Sequence, residues 1–173
     1  IDAAHQNSVP ILGTIILEGQ SEPILHQLLT GPDGSSHRQP TYQTNPFKYV
    51  HRFDPFFADR LASLCSECNF DGYLVNIEIP AISPSLVRLL IDFLKELRAQ
   101  LKTISEFHQV IWYDSIDNRG YLNYQNKLNA QNKPYFDVVD GIFLNYWWKP
   151  DDLVLTRRTA GNRYFWACPF NQS

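Results

Sequence analysis

No methionine occurs anywhere in the 173 residues, the first position included, which implies a piece cut from a longer translated chain. Cysteine is scarce too. Cys65, Cys68 and Cys168 form an odd set that cannot close a disulfide framework, so a reducing, cytoplasmic setting is expected. The Cys65-Ser66-Glu67-Cys68 spacing matches half of a zinc or redox site, but no second pair accompanies it. It falls within an amphipathic helix as an i, i+3 pair on one face, where cysteine behaves as a small apolar residue, and that is the reading preferred over metal or redox use. His26, His51 and His108 lack the paired spacing of metal ligands, so neither a metal nor a cofactor is expected. No apolar run approaches the roughly 20 residues of a membrane span, and Ile1-Asp2-Ala3-Ala4-His5 lacks the basic-then-apolar order of a signal peptide. Positive charge is not in excess: 15 Lys and Arg against 18 Asp and Glu leave a net −3, which argues against nucleic acid as a partner.

Aromatic and apolar residues, at 14% and 44%, are what the chain has in quantity. They suit one core and a site that stacks on flat ligand faces. The order of patterns is strand, then helix. Residues 9–17 read as a buried strand ending at Glu18-Gly19, and a short helix over about 22–29 would pack Ile24, Leu25, Leu28 and Leu29. Residues 33–49 are polar and aperiodic, a surface excursion placed to overhang a site. Asp54-Pro55 opens a helix with Phe57, Leu61, Leu64, Cys65 and Cys68 on one stripe. Ser83-Pro84 opens a longer one to about Lys102. Residues 109–113 and 141–148 read as further strands.

The most informative strand is 73–79, apolar except at Asn76 and Glu78. Side chains two apart in a strand share a face, about 6.5 to 7 Å apart, and Pro80 ends the strand just beyond them. An acid flanked by apolar Tyr73, Ile77 and Ile79 loses solvent, and that loss favours the neutral form a general acid needs. The same pair also fits a structural tie between strand end and loop. Other strand ends carry Glu18, Tyr113 with Asp114, and Asn145 with Trp147 and Trp148. Repeated strand-helix order implies an α/β fold with a parallel sheet, either open and doubly wound or part of a (β/α)8 TIM barrel. No Gly-rich phosphate fingerprint follows a strand, and convergence of acids, amides and indoles on one rim favours the barrel. A whole barrel takes about 250 residues, so this chain would supply roughly half.

Four ordered motifs carry a resemblance: residues 70–78 (Phe70-Asp71-Gly72 through Asn76-Ile77-Glu78), 110–115, 124–129 and 140–148. Over about residues 9–149 the chain resembles the endo-β-N-acetylglucosaminidases of glycoside hydrolase family 85. The resemblance implies a TIM barrel and hydrolysis of the β-1,4 bond in the N,N′-diacetylchitobiose core of N-glycans. It implies a retaining route in which the substrate's acetamido oxygen forms an oxazolinium intermediate, with an N-glycan or glycopeptide as partner. Glu78 would be general acid and then base, Asn76 would polarise the acetamido N–H, and Tyr113 would orient that group. Tyr124, at a position where the family often has Trp, would border the acceptor sugar. Trp147 or Trp148 would pack on the core sugars, and Asn145, Glu18 and Asp114 complete the expected substrate-binding set. Two departures are Ile79, where the family often has a polar residue, and a divergent tail over 156–173 that lacks the next barrel strand. The first strands would come from the longer parent chain. A non-catalytic glycan-binding or inactive barrel fragment, and an unrelated open α/β domain, remain the alternatives. Asn171-Gln172-Ser173 is a glycosylation acceptor pattern only in a secreted chain.

Overall fold

The computed structural model describes residues 1–33 and 52–167. The polar excursion from residue 34 on, His51, Cys168 and the Asn171-Gln172-Ser173 pattern lie outside the described residues. A five-stranded parallel sheet runs in the order of the chain: β1 (Gly13–Glu18), β2 (Gly72–Glu78), β3 (Gln109–Tyr113), β4 (Gly141–Leu144) and β5 (Tyr164–Ala167). Sequential order without a reversal lacks the switch point that a doubly wound sheet requires. Between the strands lie α2 (Glu22–Thr30), α3 (Phe56–Glu67), α4 (Pro84–Ile104), α5 (Lys133–Phe136) and α6 (Pro150–Ala160), with α1 (Asp2–Gln6) in front.

Alternation along each strand sorts the two faces. Tyr73, Val75 and Ile77 of β2, Val110 and Trp112 of β3, and Ile142 and Leu144 of β4 are buried in the core shared with the helices. The central helix is α4, whose apolar period buries Leu86, Leu90, Phe93, Leu94, Leu97 and Leu101. Its start follows the sequence signal: Ser83 Oγ accepts the Leu86 N–H at 3.3 Å, and Pro84 fills the first turn. Trp112 stacks on Tyr135 at 4.4 Å, and the Tyr135 hydroxyl donates to the Asp117 carbonyl. The opposite face is open, with Ile16 51% and Tyr164 64% exposed.

Several elements differ from the sequence reading. β1 starts at Gly13, because the Ile11 backbone N–H and carbonyl are both engaged by Asp71. Ile24 and Leu64 are exposed, and small Ala58 and Ala62 take the helix-packing positions with Cys65. β4 stops at Leu144, since the groups beyond it bond to a loop rather than to a strand. The tail does carry a strand. β5 pairs with β4 from Gly141↔Tyr164 to Leu144↔Ala167, so the expected lack of a next strand is corrected. Four aromatic-rich residues without alternation gave it no period to detect.

Two Asp-Gly pairs anchor the strand entrances in the same way. Asp71 donates its N–H to the Ile11 carbonyl and accepts the Ile11 N–H on Oδ2 at 2.6 Å. Asp140 does both to Val110, and its Oδ1 holds Arg98 at 2.9 Å and Lys102 at 3.3 Å. Burial pushes the Asp71 carboxyl up, but the Ile11 amide and His5 outweigh it and hold the carboxyl below its usual range. Gly72 has φ +130°, and a Cβ there would sit 1.8 Å from the Gln109 carbonyl oxygen. Gly72→Ala is therefore expected to cost about 3 kcal/mol or more. Gly19→Ala, at φ +61° but in open space, should cost about 1 kcal/mol. Urea unfolding of both variants checks this, and equal costs would contradict it.

Candidate active site

The C-terminal end of β2 brings Asn76 and Glu78 to the open face, the same way round, as their spacing implies. Register then adds neighbours. Ile16 pairs with Asn76 and Glu18 with Glu78, while Val75↔Trp112 on the other side puts Tyr113 level with Asn76. The apolar residues expected to dry Glu78 do not do so: Tyr73, Ile77 and Ile79 are turned to the helix side and buried there. What meets Glu78 is a phenol, since the Tyr124 hydroxyl donates to Glu78 Oε1 at 2.8 Å. Asn76 Oδ1 is buried with no hydrogen-bond partner, an unsatisfied acceptor two residues before Glu78 on the same strand face.

Tyr124 and Glu78 are 46 positions apart, and backbone pairing brings them together. The loop after β3 returns against the segment that follows β2: Leu122 N–H donates to the Pro80 carbonyl and Ile82 N–H to the Gly120 carbonyl. The antiparallel bridge Ala81↔Tyr121 completes the contact, and Ile116↔Leu122 closes the loop on itself. Gly120 stands at φ +90° where a Cβ would lie 2.3 Å from the Ile82 oxygen, so only glycine allows this approach. Buried Asp117 shapes the turn, accepting the N–H groups of Arg119 and Tyr121 on Oδ1 and the Arg119 guanidinium on Oδ2.

Tyr113 is 8% exposed and sits amid aromatic rings: Tyr124 at 6.4 Å, Phe143 at 6.0 Å and Tyr146 at 6.5 Å between centroids. Its hydroxyl donates to Asn145 Oδ1 at 2.9 Å. Burial first, then the nearby Glu78 carboxylate, pushes the Tyr113 phenol up. The Tyr124 phenol is pushed up to about 12 by burial, then by its bond to Glu78 and that group's charge. Both stay protonated at neutral pH.

Two residues of the expected substrate-binding set have their polar atoms engaged inside the protein. Asp114 is 1% exposed and its oxygens are used inside: Oδ1 accepts from Gln125 N and Asn132 Nδ2, and Oδ2 from Asn126 N at 2.6 Å. Burial raises its pKa, opposed by those same donors. Asn145 is buried too, with Oδ1 on Tyr113 and Nδ2 on Asn126 Oδ1. Both brace the rim from within. Trp148 packs against the core, whereas Trp147 is 74% exposed and Glu18 is exposed at the end of β1. Sequence reasoning missed Tyr146, hidden in an apolar run, and Asn126, Asn132 and Asp117, hidden in a polar one.

Among the described residues no three His, Cys, Asp or Glu side chains cluster as a metal site, and no helix is long and apolar enough to cross a membrane. A hollow of about 640 Å³ opens at the other end of the sheet, lined by Arg98, Lys102, Phe107, Asp140, Arg163 and Tyr164. Its cations are already taken: Arg98 and Lys102 pair with Asp140, and Arg163 donates to the Phe136 and Val139 carbonyls. The rim at Asn76 and Glu78 is the better candidate.

The chain is similar to known proteins. The model of glycosyl hydrolase family 85 matches residues 1–165. Cytosolic endo-beta-N-acetylglucosaminidase of Gallus gallus is 38% identical over 164 residues, 94% of this chain and 20% of that protein. Cytosolic endo-beta-N-acetylglucosaminidase 2 of Arabidopsis thaliana is 33% identical over 95% of this chain and 21% of its own length. The chain thus spans about one fifth of the curated relatives it matches. The glycoside hydrolase domain of Endo-D from Streptococcus pneumoniae R6 superposes with a TM-score of 0.69 at 23% identity, over 92% of this chain and 24% of that one. With the family model matching nearly its whole length, the chain belongs to glycosyl hydrolase family 85.

Proposed function

We propose that this chain forms the catalytic rim of an endo-β-N-acetylglucosaminidase. In this reading it cleaves the β-1,4 bond of the N,N′-diacetylchitobiose core of N-glycans, in the cytosol. The observation that carries the reading is the pairing of an unpartnered, buried amide oxygen on Asn76 with the carboxyl of Glu78 on one strand face. The family membership and the printed names of the relatives support it. Free Cys65 and Cys68 are consistent with a reducing setting.

The chemistry runs in two steps. In the first, the acetamido carbonyl oxygen of the bound sugar attacks C1 while Glu78 gives its proton to the departing glycosidic oxygen, leaving an oxazolinium ring and a Glu78 carboxylate. The acetamido N–H gains positive character as the ring closes, and Asn76 Oδ1 accepts it, a preorganised dipole where charge develops. In the second, Glu78 takes a proton from water as that water attacks C1, the ring opens, and the β configuration is restored. No carboxylate nucleophile is needed, so the usual reading of mechanism from carboxylate spacing does not apply. Tyr113 orients the acetamido group, Tyr124 borders the acceptor side through its bond to Glu78, and Trp147 and Glu18 contact sugar. The sheet would be five strands of an eight-stranded barrel, the rest supplied by the longer parent chain. Sequential strand order and the exposed apolar residues of the open face support this.

Glu78→Gln in the full-length protein is expected to lower glycan release from a high-mannose glycopeptide by about 10²–10⁴-fold, the usual share of a general acid. Unchanged turnover would overturn the assignment. Asn76→Ala should slow kcat strongly while glycopeptide binding, read by calorimetry, persists; loss of binding with kcat unchanged would oppose it. Glu18 gives the discriminating control, being in register with Glu78 on the adjacent strand. If the acetamido group is the nucleophile, Glu18→Gln should cost no more than about tenfold, whereas a covalent carboxylate route would lose as much as Glu78→Gln.

A further inference from the structure

Asn126 stands at φ +56°, in the left-handed region that asparagine tolerates and most side chains resist. Its place at a loop crossing explains the conformation. The backbone N–H donates to Asp114 Oδ2 at 2.6 Å, which ties the loop to the end of β3. The side-chain oxygen accepts two donors from the exit of β4, Asn145 Nδ2 at 3.0 Å and the Trp147 N–H at 3.0 Å. Two lone pairs meet two N–H groups. Asn145 then has its oxygen turned to the Tyr113 hydroxyl, which donates to it at 2.9 Å.

The polarity of this relay leaves no freedom. If the Asn145 amide turned over, its oxygen would oppose the Asn126 oxygen, and its Nδ2 would face the Tyr113 hydroxyl, which would then have to accept instead of donate. Asn126 therefore sets the sense of the Asn145 amide, and that amide sets the Tyr113 hydroxyl. Tyr113 lies level with Asn76, two residues before Glu78 on the neighbouring strand. We infer that Asn126 is a positioning residue for the glycosidase reaction, acting through Asn145 to hold the Tyr113 phenol in place. The inference rests on the function proposed for the Asn76 and Glu78 rim. It assigns a role to a loop amide that touches neither Glu78 nor Asn76, and it explains why the Tyr124-to-Asn129 loop carries an asparagine at its left-handed position rather than a glycine.

Asn126→Gly is the informative variant, because glycine accepts the backbone angle at no steric cost while removing the side-chain oxygen that serves Asn145 and Trp147, together with the long 3.5 Å bond from Nδ2 to the Tyr124 carbonyl. In the full-length protein acting on a high-mannose glycopeptide, kcat is expected to fall about tenfold or more, as misplacement of an orienting group does. Combined with Tyr113→Phe, the loss should be masked: the double variant should match Tyr113→Phe alone within about threefold, since the relay then has nothing to hold. Wild-type kcat in Asn126→Gly, losses that multiply in the double variant, or a Tm fall of more than about 8 °C would each overturn the inference. Glu78→Gln measured alongside separates the two claims. If it remains active, the proposed function fails; if it is inactive while Asn126→Gly keeps its rate, only the positioning role fails.

Discussion

The parallel register of β1, β2 and β3 is the constraint from which the rim follows. Once Val75 lies beside Trp112 and Ile16 beside Asn76, alternation compels Asn76, Glu78, Tyr113 and Glu18 onto one face and their apolar neighbours onto the other. A slip of one residue would bury the carboxylate among the leucines of α4 and expose Val75 and Ile77. The cost of that exchange, several large side chains uncovered and an acid desolvated, pins the register more firmly than the backbone bonds do.

The two ends of the sheet divide the work. At the entrances of β2 and β4, Asp71 spends its carboxylate on the Ile11 amide just ahead of β1 and Asp140 on the Val110 amide of β3, and Asp140 also neutralises Arg98 and Lys102. These are stability devices. At the exits, acids and amides face the open side or brace those that do: Glu78 holds a phenol, Asp114 holds a loop, and Asn76 keeps a buried, unpartnered acceptor. The same residue type thus serves opposite purposes according to strand end, as the asymmetry of parallel α/β folds leads one to expect.

Much of this was legible in the chain. β2, β3 and α4 carried long, unambiguous periods, and the two-residue spacing of Asn76 and Glu78 fixed their common face because strand alternation is nearly strict. Interruptions in the apolar period likewise marked the strand ends. Less could be read where contacts are long-range. The Tyr124 bond to Glu78 depends on the loop returning to Pro80–Ile82, a pairing that leaves no periodic trace. Asp114 and Asn145 looked like surface groups because polarity alone does not say whether partners will bury them. Leu64 gave way to Ala58 and Ala62 because close packing of α3 on α4 favours small side chains at the contact. β5 was too short and too uniformly aromatic to register.

The central claim is that the substrate's own amide, steadied by Asn76, closes on C1 while Glu78 donates the proton. A series of glycopeptide substrates in which the reacting sugar's acetamido methyl becomes CH2F, CHF2 and CF3 tests it most directly, because each fluorine weakens the amide oxygen as a nucleophile. The account expects kcat to fall steeply and progressively along the series; a flat series would contradict it.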